Sequence, residues 1–238
     1  LNPNIEPTND PLVRQAIVQG TNRLLIGEGV GGDASFATTQ YAKEGALGYV
    51  EGYDPFPFDP DAARAALEEA GYSDGLTIEL IHPAGYAPAE ISALAIQEQL
   101  AEIGIEVVIN PLVPADFTPA FYTLEHPMAV TATGAEPDPY SMLDLRFHGG
   151  SKLLAAEAVD AFEEAMAAAA DQTNSDAERV AAYENLTVVA LDQGTWAPIG
   201  FRPGQTLASP RLIGALQQPG LTLSDTANIP RYLAIAAD

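Results

Sequence analysis

Cysteine is absent from this chain, lysine occurs twice (Lys43 and Lys152) and tryptophan once. Without cysteine there are no disulfides, no thiolate metal sites and no cysteine nucleophile, and the absence does not fix a compartment. Positive charge is scarce altogether: 10 Lys and Arg face 33 Asp and Glu, a formal net charge of -23. Such a surface repels phosphate backbones and anionic headgroups, so nucleic acid is excluded as an electrostatic partner. Acid excess serves solubility, and it also suits an exported protein of a saline environment or a bias in base composition. No run of about eighteen apolar residues is present, so direct membrane insertion by a spanning helix is excluded. The opening Leu1-Asn2-Pro3-Asn4 reads as the middle of a loop, as in a fragment or a processed product.

Catalytic constellations are also missing. His82, His126 and His148 lie far apart in sequence and form no HExxH pair, and there is no GxSxG elbow. The acidic pairs Glu68-Glu69 and Glu163-Glu164 sit among alanines on predicted helices, where a solvated face explains them. A hydrolase built from distant carboxylates stays open as an alternative of another class, because sequence spacing does not limit such a pair. Gly27, Gly29 and Gly32 match GxGxxG. They follow the end of a predicted helix rather than a strand, which argues against a dinucleotide loop. No cofactor and no metal site is assigned.

What is present is organised around Asp59 to Leu112. Asp59 offers an N-cap carboxylate, Pro60 occupies a position where a missing N–H costs nothing, and Gly71 suits a left-handed stop. After an Asp74-Gly75 turn, Leu76, Ile78 and Leu80 alternate with Thr77 and Glu79, the period of a half-buried strand over Leu76 to Ile81. From Pro88 to Ile103 the period is helical, with Ile91, Ala95, Ile96, Leu100 and Ile103 on the expected core face. Gly104 ends that helix, and Ile105 to Leu112 reads as a second strand, parallel to the first through a crossover.

Around this unit the spacing predicts further elements. Asp10 to Gly20 is an amphipathic helix with Leu12, Ile17 and Val18 near one face and Arg14 on another, Arg14 being structural. Gly27 to Pro57 is a long surface connection. Pro114 to Tyr122 is a short helix and Met128 to Thr133 a strand. The stretch Gly134 to Gly150 reads as a loop that gathers Glu136, Asp138, Tyr140, Arg146 and His148 beyond a strand end, where ligands of open α/β sheets sit. Helices are expected over Leu153 to Ala170 and Asp176 to Asp192, the second with Ser175 and Glu178 at capping-box spacing. Thr195 to Phe201 reads as a buried strand that begins near Trp196, itself a core residue.

The wording of these segments resembles a known family. DPDAARAALEEAGY, DGLTIEL and IQEQLAEIGIEVVI are similar to the signature run of the family 5 extracellular solute-binding proteins, the dipeptide, oligopeptide and nickel binders of ABC importers. NDPLVRQAIVQGTNRLLI before them and DAERVAAYENLTVVALDQGTWAPIGF after them match in order as well. The resemblance implies an α/β fold, a periplasmic-binding-protein-like (class II) lobe whose mixed sheet has helices on both faces. It implies residues 1–201 as the second lobe of a two-lobed protein and 202–238 as a return segment toward the first. It implies a periplasmic or extracellular protein that closes on a small-molecule ligand, peptide-like or another small solute, and delivers it to ABC permease membrane subunits. The expected ligand-binding residues are Thr131, Ala132, Thr133, Gly134, Ala135, Glu136, Asp138, Tyr140, Arg146 and His148. Aligned on Asp138-Pro139, the Asp with which peptide-binding members pair a peptide's amino terminus falls on Ala135, and the Trp and Arg that precede it fall on Ala132 and Ala129, so all three are lost and Glu136 is the close acid substitute. GAEPDPY is also similar to a run of nickel-binding members. A metal-chelate ligand is therefore the alternative, with His148 near the metal and Arg146 on the chelate's carboxylates.

Overall fold

A computed structural model describes residues 1–31, 36–132, 139–147 and 153–201, together with the backbone of 212–213 and 234–235. In chain order the elements are α1 (Pro11–Gln19), α2 (Arg23–Gly31), β1 (Phe36–Ala37), α3 (Pro60–Glu69), β2 (Leu76–Pro83), α4 (Ala87–Ala101), β3 (Ile105–Leu112) and α5 (Pro114–Thr123). They continue with β4 (Met128–Ala129), α6 (Pro139–Phe147), α7 (Val159–Ala170), α8 (Asp176–Leu191), β5 (Gly200–Phe201), β6 (Leu212–Ile213) and β7 (Ala234–Ile235). The chain divides into two compact units, Leu1–Phe201 and Arg202–Asp238. The second is described only by the antiparallel pair β6 and β7.

The first unit is built on a parallel sheet in the order β3-β2-β4. Leu76 faces Ile105 and the register runs unbroken to Pro83 opposite Leu112. Ile78, Leu80, Ile105 and Val107 bury one face of that sheet in a core completed by Val13, Ala16 and Ile17 of α1, Ala63 and Leu67 of α3, and Ile96 and Leu100 of α4. The opposite face carries polar pairs beside the buried Ile81: Thr77 donates to Glu106, and Asn110 donates to Glu79 at 2.8 Å. A second core joins α6, α7 and α8 through Leu143, Phe147, Phe162, Met166, Leu186 and Leu191. Ala165 and Ala169 of α7 are buried in it, which fits the close helix approach that an alanine-rich sequence permits.

Local signals place most element ends. Asp59 accepts from the N–H groups of Asp61 and Ala62, Pro60 follows at the first helical position, and Gly71 takes φ +89°. Ser175 and Glu178 complete the reciprocal capping box of α8. Leu124 ends α5 at φ 51°, the one non-glycine residue with positive φ among the described residues, and the Asn2 side chain donates to its carbonyl at 2.7 Å.

Several expectations are corrected. Arg14 has the structural role expected of it, but from a buried position: it is 2% exposed, and its guanidinium donates to the carbonyls of Thr8, Asn9 and Gln193, each at 3.0 Å. Ile91 leaves the core face of α4, because the buried stripe runs through Ala89, Ser92, Ala93, Ile96 and Leu100. The glycines of GEGVGG lie mostly inside α2. A Cβ on Gly27 would stand 2.4 Å from the Ile199 carbonyl, so packing of α2 on the chain after α8 requires glycine there. The connection to Pro57 is not wholly on the surface: Gln40, Tyr41 and Ala42 are buried, Gln40 donates to the carbonyls of Val50 and Tyr53, and Arg23 meets Asp54 at 2.7 Å. Of the strand expected over Thr195 to Phe201, only Gly200–Phe201 pairs, antiparallel to Phe36–Ala37, because that segment joins β1 rather than the central sheet.

Candidate ligand-binding cleft

A cleft of about 340 Å³ opens beyond the carboxyl ends of β2 and β4. That is the small end of the range for pockets that enclose a small molecule. Its apolar wall comes from Pro83 at the end of β2 and from Pro114, Phe117 and Phe121 of α5. Thr118 and Tyr122 add hydroxyls from the same helix, and Thr131 and Ala132 follow β4. Arg146 of α6 completes the lining and is its charged side chain among the described residues.

Each wall has a local cause. Phe117 and Phe121 are one helical turn apart and stack with centroids 5.6 Å apart and planes at 21°. Tyr122 meets Phe121 edge to face at 5.4 Å. The strand-side wall is fixed by parallel pairing of Met128 with Leu80 and Ala129 with Ile81, extended by the Val130 amide on the Ile81 carbonyl at 3.0 Å. His126, in the turn joining α5 to β4, brings Nδ1 to 2.6 Å from a Glu79 carboxylate oxygen. This contact ties that turn to the middle of β2. Burial acts to raise the Glu79 carboxyl, but hydrogen bonds from His126 and Asn110 and the charge of His126 outweigh it, so the group lies below its ordinary value.

Arg146 is 9% exposed and held by aromatic rings: its Cζ lies 5.2 Å from the centre of Trp196 and 5.5 Å from those of Phe121 and Tyr122. Trp196 in turn stacks on Phe147 at 6.1 Å, and Tyr41 packs edge-on against both. Trp196 is thus a half-buried bridge between the helical core and the cleft.

Of the ligand-binding residues expected from the sequence, Thr131, Ala132 and Arg146 come together here. Thr133, Gly134, Ala135, Glu136, Asp138 and His148 lie outside the described residues. Tyr140 packs instead against Tyr183 of α8 at 6.2 Å, on the helical core. The stretch expected to be a loop contains α6, whose Leu143 and Phe147, one turn apart and buried, seat it on that core. The aromatic wall of α5 is the part of the cleft that sequence reasoning missed. Its signal was the Phe117/Phe121 spacing on a helix that starts just past the carboxyl end of β3. Among the described residues no group of three or more His, Cys, Asp or Glu is placed to hold a metal.

The family model described as bacterial extracellular solute-binding proteins, family 5 Middle, matches residues 1–153. The chain belongs to this family. Among curated relatives, Di/tripeptide-binding protein 2 of Pseudomonas aeruginosa is 29% identical over 209 residues, 84% of this chain and 39% of that protein. Glutathione-binding protein GsiB of Shigella flexneri is 32% identical over 113 residues, 47% of this chain and 22% of that protein. The chain therefore spans about two fifths or less of the length of these relatives. Two solved structures share the fold. NikA from Brucella suis, in complex with Fe(III)-EDTA, has a TM-score of 0.73 at 20% identity, over 85% of this chain and 44% of that one. HbpA2 from Haemophilus parasuis has a TM-score of 0.75 at 22% identity, over 85% of this chain and 41% of that one.

Proposed function

We propose that this family 5 chain forms the ligand-holding part of an extracytoplasmic solute-binding protein, periplasmic or extracellular, that captures a small peptide-like solute for an ABC permease. The observation that carries the proposal is the cleft beyond β2 and β4, with an aromatic wall, hydroxyls and a cation in a volume that suits a small molecule. Relatives named for di/tripeptide and glutathione binding support a peptide-like ligand over the metal-chelate alternative, which rests on His148. The lineage is one of binding proteins, and no catalytic role is assigned. Residues 1–201 are proposed as the second lobe of a two-lobed protein and 202–238 as the return segment toward the first. In such a protein the ligand stabilises the closed form by binding it more tightly than the open one, and the permease then has a distinct shape to recognise. Calorimetric titration of the full-length protein against di- and tripeptides, glutathione, simple sugars and metal chelates tests this. Binding confined to the peptides and glutathione supports the proposal, and binding confined to sugars or metal chelates overturns it.

A further inference from the structure

The wall that Phe121 and Tyr122 add to the cleft is held from outside their own helix. Pro119 lies in the interior of α5, where its missing N–H removes a rung of the helix, and Phe117 is the helix's one buried residue. Phe121 and Tyr122 follow Pro119 in the last turn, so the first turn fixes them poorly. The chain leaves that turn through Leu124 at φ 51° and reaches His126 two residues on. Whatever holds residues 124–126 therefore sets the position of the wall.

Two side-chain contacts among the described residues hold that stretch. Asn2 donates to the carbonyls of Leu124 at 2.7 Å and His126 at 3.4 Å, a neutral contact that does not change with pH. His126 Nδ1 lies 2.6 Å from one oxygen of Glu79, whose other oxygen accepts from Asn110 at 2.8 Å. The carboxylate is thus fixed on the sheet, and the histidine brings the turn to it. A neutral imidazole can donate to that oxygen, but only the imidazolium adds an opposite charge. Histidine exchanges its charge between about pH 5 and 8. Glu79 lies below its ordinary value of 4.5, so it stays a carboxylate through that range. The other charged and titratable groups described on the surrounding elements are Glu106 beside Thr77, Glu125 in the turn, Asp116 at the start of α5, Glu6 in the N-terminal segment, Arg146 over the Phe121 and Tyr122 rings, and His82 on the other face of β2. Of the two histidines, His126 is the one in the turn.

We infer that His126 is a positioning residue: charged and paired with Glu79, it holds the last turn of α5 where Phe121 and Tyr122 face the ligand, so the cleft binds more tightly on the acid side of neutrality. The inference rests on the reading of this cleft as the ligand site. A ligand that needs the wall in place is held more weakly by the fraction of molecules in which the wall has moved. The pair is partly exposed, 22% for His126 and 35% for Glu79, so its charge shifts that equilibrium by about two- to fivefold. Without the pair the wall is mostly out of place, and affinity follows the same factor.

Phe- and Leu-containing di- and tripeptides are titrated from about pH 5.5 to about pH 8 into the full-length protein and its His126→Asn variant. The ratio of the two affinities is taken for each peptide, so that titration of the peptide's own ends cancels. Asparagine keeps a neutral N–H donor at the place of Nδ1 and cannot take a charge. The unmodified protein should bind about two- to fivefold tighter than the variant at about pH 5.5 and equally at about pH 8. Glu79→Gln should behave as His126→Asn does. A ratio that is the same at every pH marks a merely structural role and overturns the inference. Amide hydrogen exchange of residues 120–124, corrected for its intrinsic pH dependence, reads the wall with no ligand present. Protection should fall by about the same two- to fivefold over that range in the unmodified protein and stay flat in the variants. Protection that does not change with pH in the unmodified protein overturns the inference. If neither variant folds, as judged by its thermal melt, the pH profiles of affinity and exchange in the unmodified protein decide. Peptide binding that ignores pH while protection changes overturns the coupling of this wall to the ligand and leaves the peptide reading standing. Binding of no peptide at any pH overturns the peptide reading, and exchange then decides the positioning role alone.

Discussion

Replacing Arg14 with methionine tests whether one buried cation joins the start of the chain to the end of α8. The residue is 2% exposed, and it donates to the carbonyls of Thr8, Asn9 and Gln193 at 3.0 Å each. Burial pushes the guanidinium's pKa down, while Glu157 and Asp10 act at longer range to raise it, and the net direction is down. Methionine keeps much of the stem packing and removes every donor. A hydrogen bond to a charged group contributes about 1.5–3 kcal/mol, so simple addition over three would give roughly 5–9 kcal/mol. That sum is too large for two reasons. The three bonds share one side chain and do not add, and the substitution recovers part of the cost of burying a charge, several kcal/mol. The expected loss is about 3–4 kcal/mol, a large share of the roughly 5–15 kcal/mol of a typical domain. With a urea slope of about 2 kcal/mol per molar, the unfolding midpoint falls by about 1.5–2 M. Trp196, the only tryptophan of the chain, reports the transition by fluorescence. Arg14→Lys keeps the charge but cannot fork to three carbonyls, and should lose about half as much. A midpoint shift for Arg14→Met below about 0.5 M, under about 1 kcal/mol on the same slope, would refute the reasoning.

Other outcomes follow from the same geometry. Asp59→Ala and Ser175→Ala each remove a helix cap and should cost about 1 kcal/mol in urea unfolding. Gly48 sits at φ +81° with a virtual Cβ 2.7 Å from Pro139, so Gly48→Ala should destabilise by about 1–3 kcal/mol, and a neutral result would mean that the start of α6 is not packed there. The Glu79 carboxyl lies below its ordinary value of 4.5 in the folded chain, so its pairing contributes stability above about pH 4.5 that is lost as pH falls through the folded value. Glu79→Gln should flatten that acid limb in pH-dependent melting, and an unchanged limb would argue against the His126 contact in solution. If residues 1–201 are one lobe of two, as proposed, the 238-residue chain alone should bind peptides at least about tenfold more weakly than the full-length protein, because the second wall that keeps the ligand dry would be missing, and equal affinities in calorimetry would contradict this.

The fold was readable where physical signals were redundant. From Asp59 to Leu112, period, cap, turn and stop agree, and the elements end within a few residues of their expected places. Elsewhere a local signal met a tertiary one. Ile91 fits the helical period of α4, yet the sheet takes up the stripe one position on, through Ser92 and Ala93, and leaves Ile91 49% exposed. Arg14 reads as structural from the sequence, but its partners are three carbonyls from segments as distant as residue 193, which no local pattern announces. Glycine in GEGVGG lowers helix propensity, but close packing against Ile199 overrides it at Gly27. Charges and prolines hid α6 from view, although Pro139 at its start and Leu143 and Phe147 one turn apart were there to be seen. The cleft followed the rule for open α/β sheets in its position; Arg146 was named from that rule, and Thr131 and Ala132 from the family resemblance. Its aromatic wall was not, because Phe117 and Phe121 on an amphipathic helix look the same whether they face a core or a ligand.

The central claim, that a peptide-like ligand sits against α5 in the cleft beyond β2 and β4, is met most directly by titrating di- and tripeptides into the full-length protein and two single variants. Phe121→Ala removes a cleft wall, and Leu94→Ala removes a side chain that is 60% exposed on α4 and not part of the lining. Lost burial of an aromatic side chain corresponds to about 1.5–3 kcal/mol, tenfold or more in affinity. The account predicts binding by the unmodified protein, at least about tenfold weaker binding with Phe121→Ala and unchanged binding with Leu94→Ala. Peptide binding that is indifferent to Phe121→Ala, in a variant with an unaltered thermal melt, would contradict it.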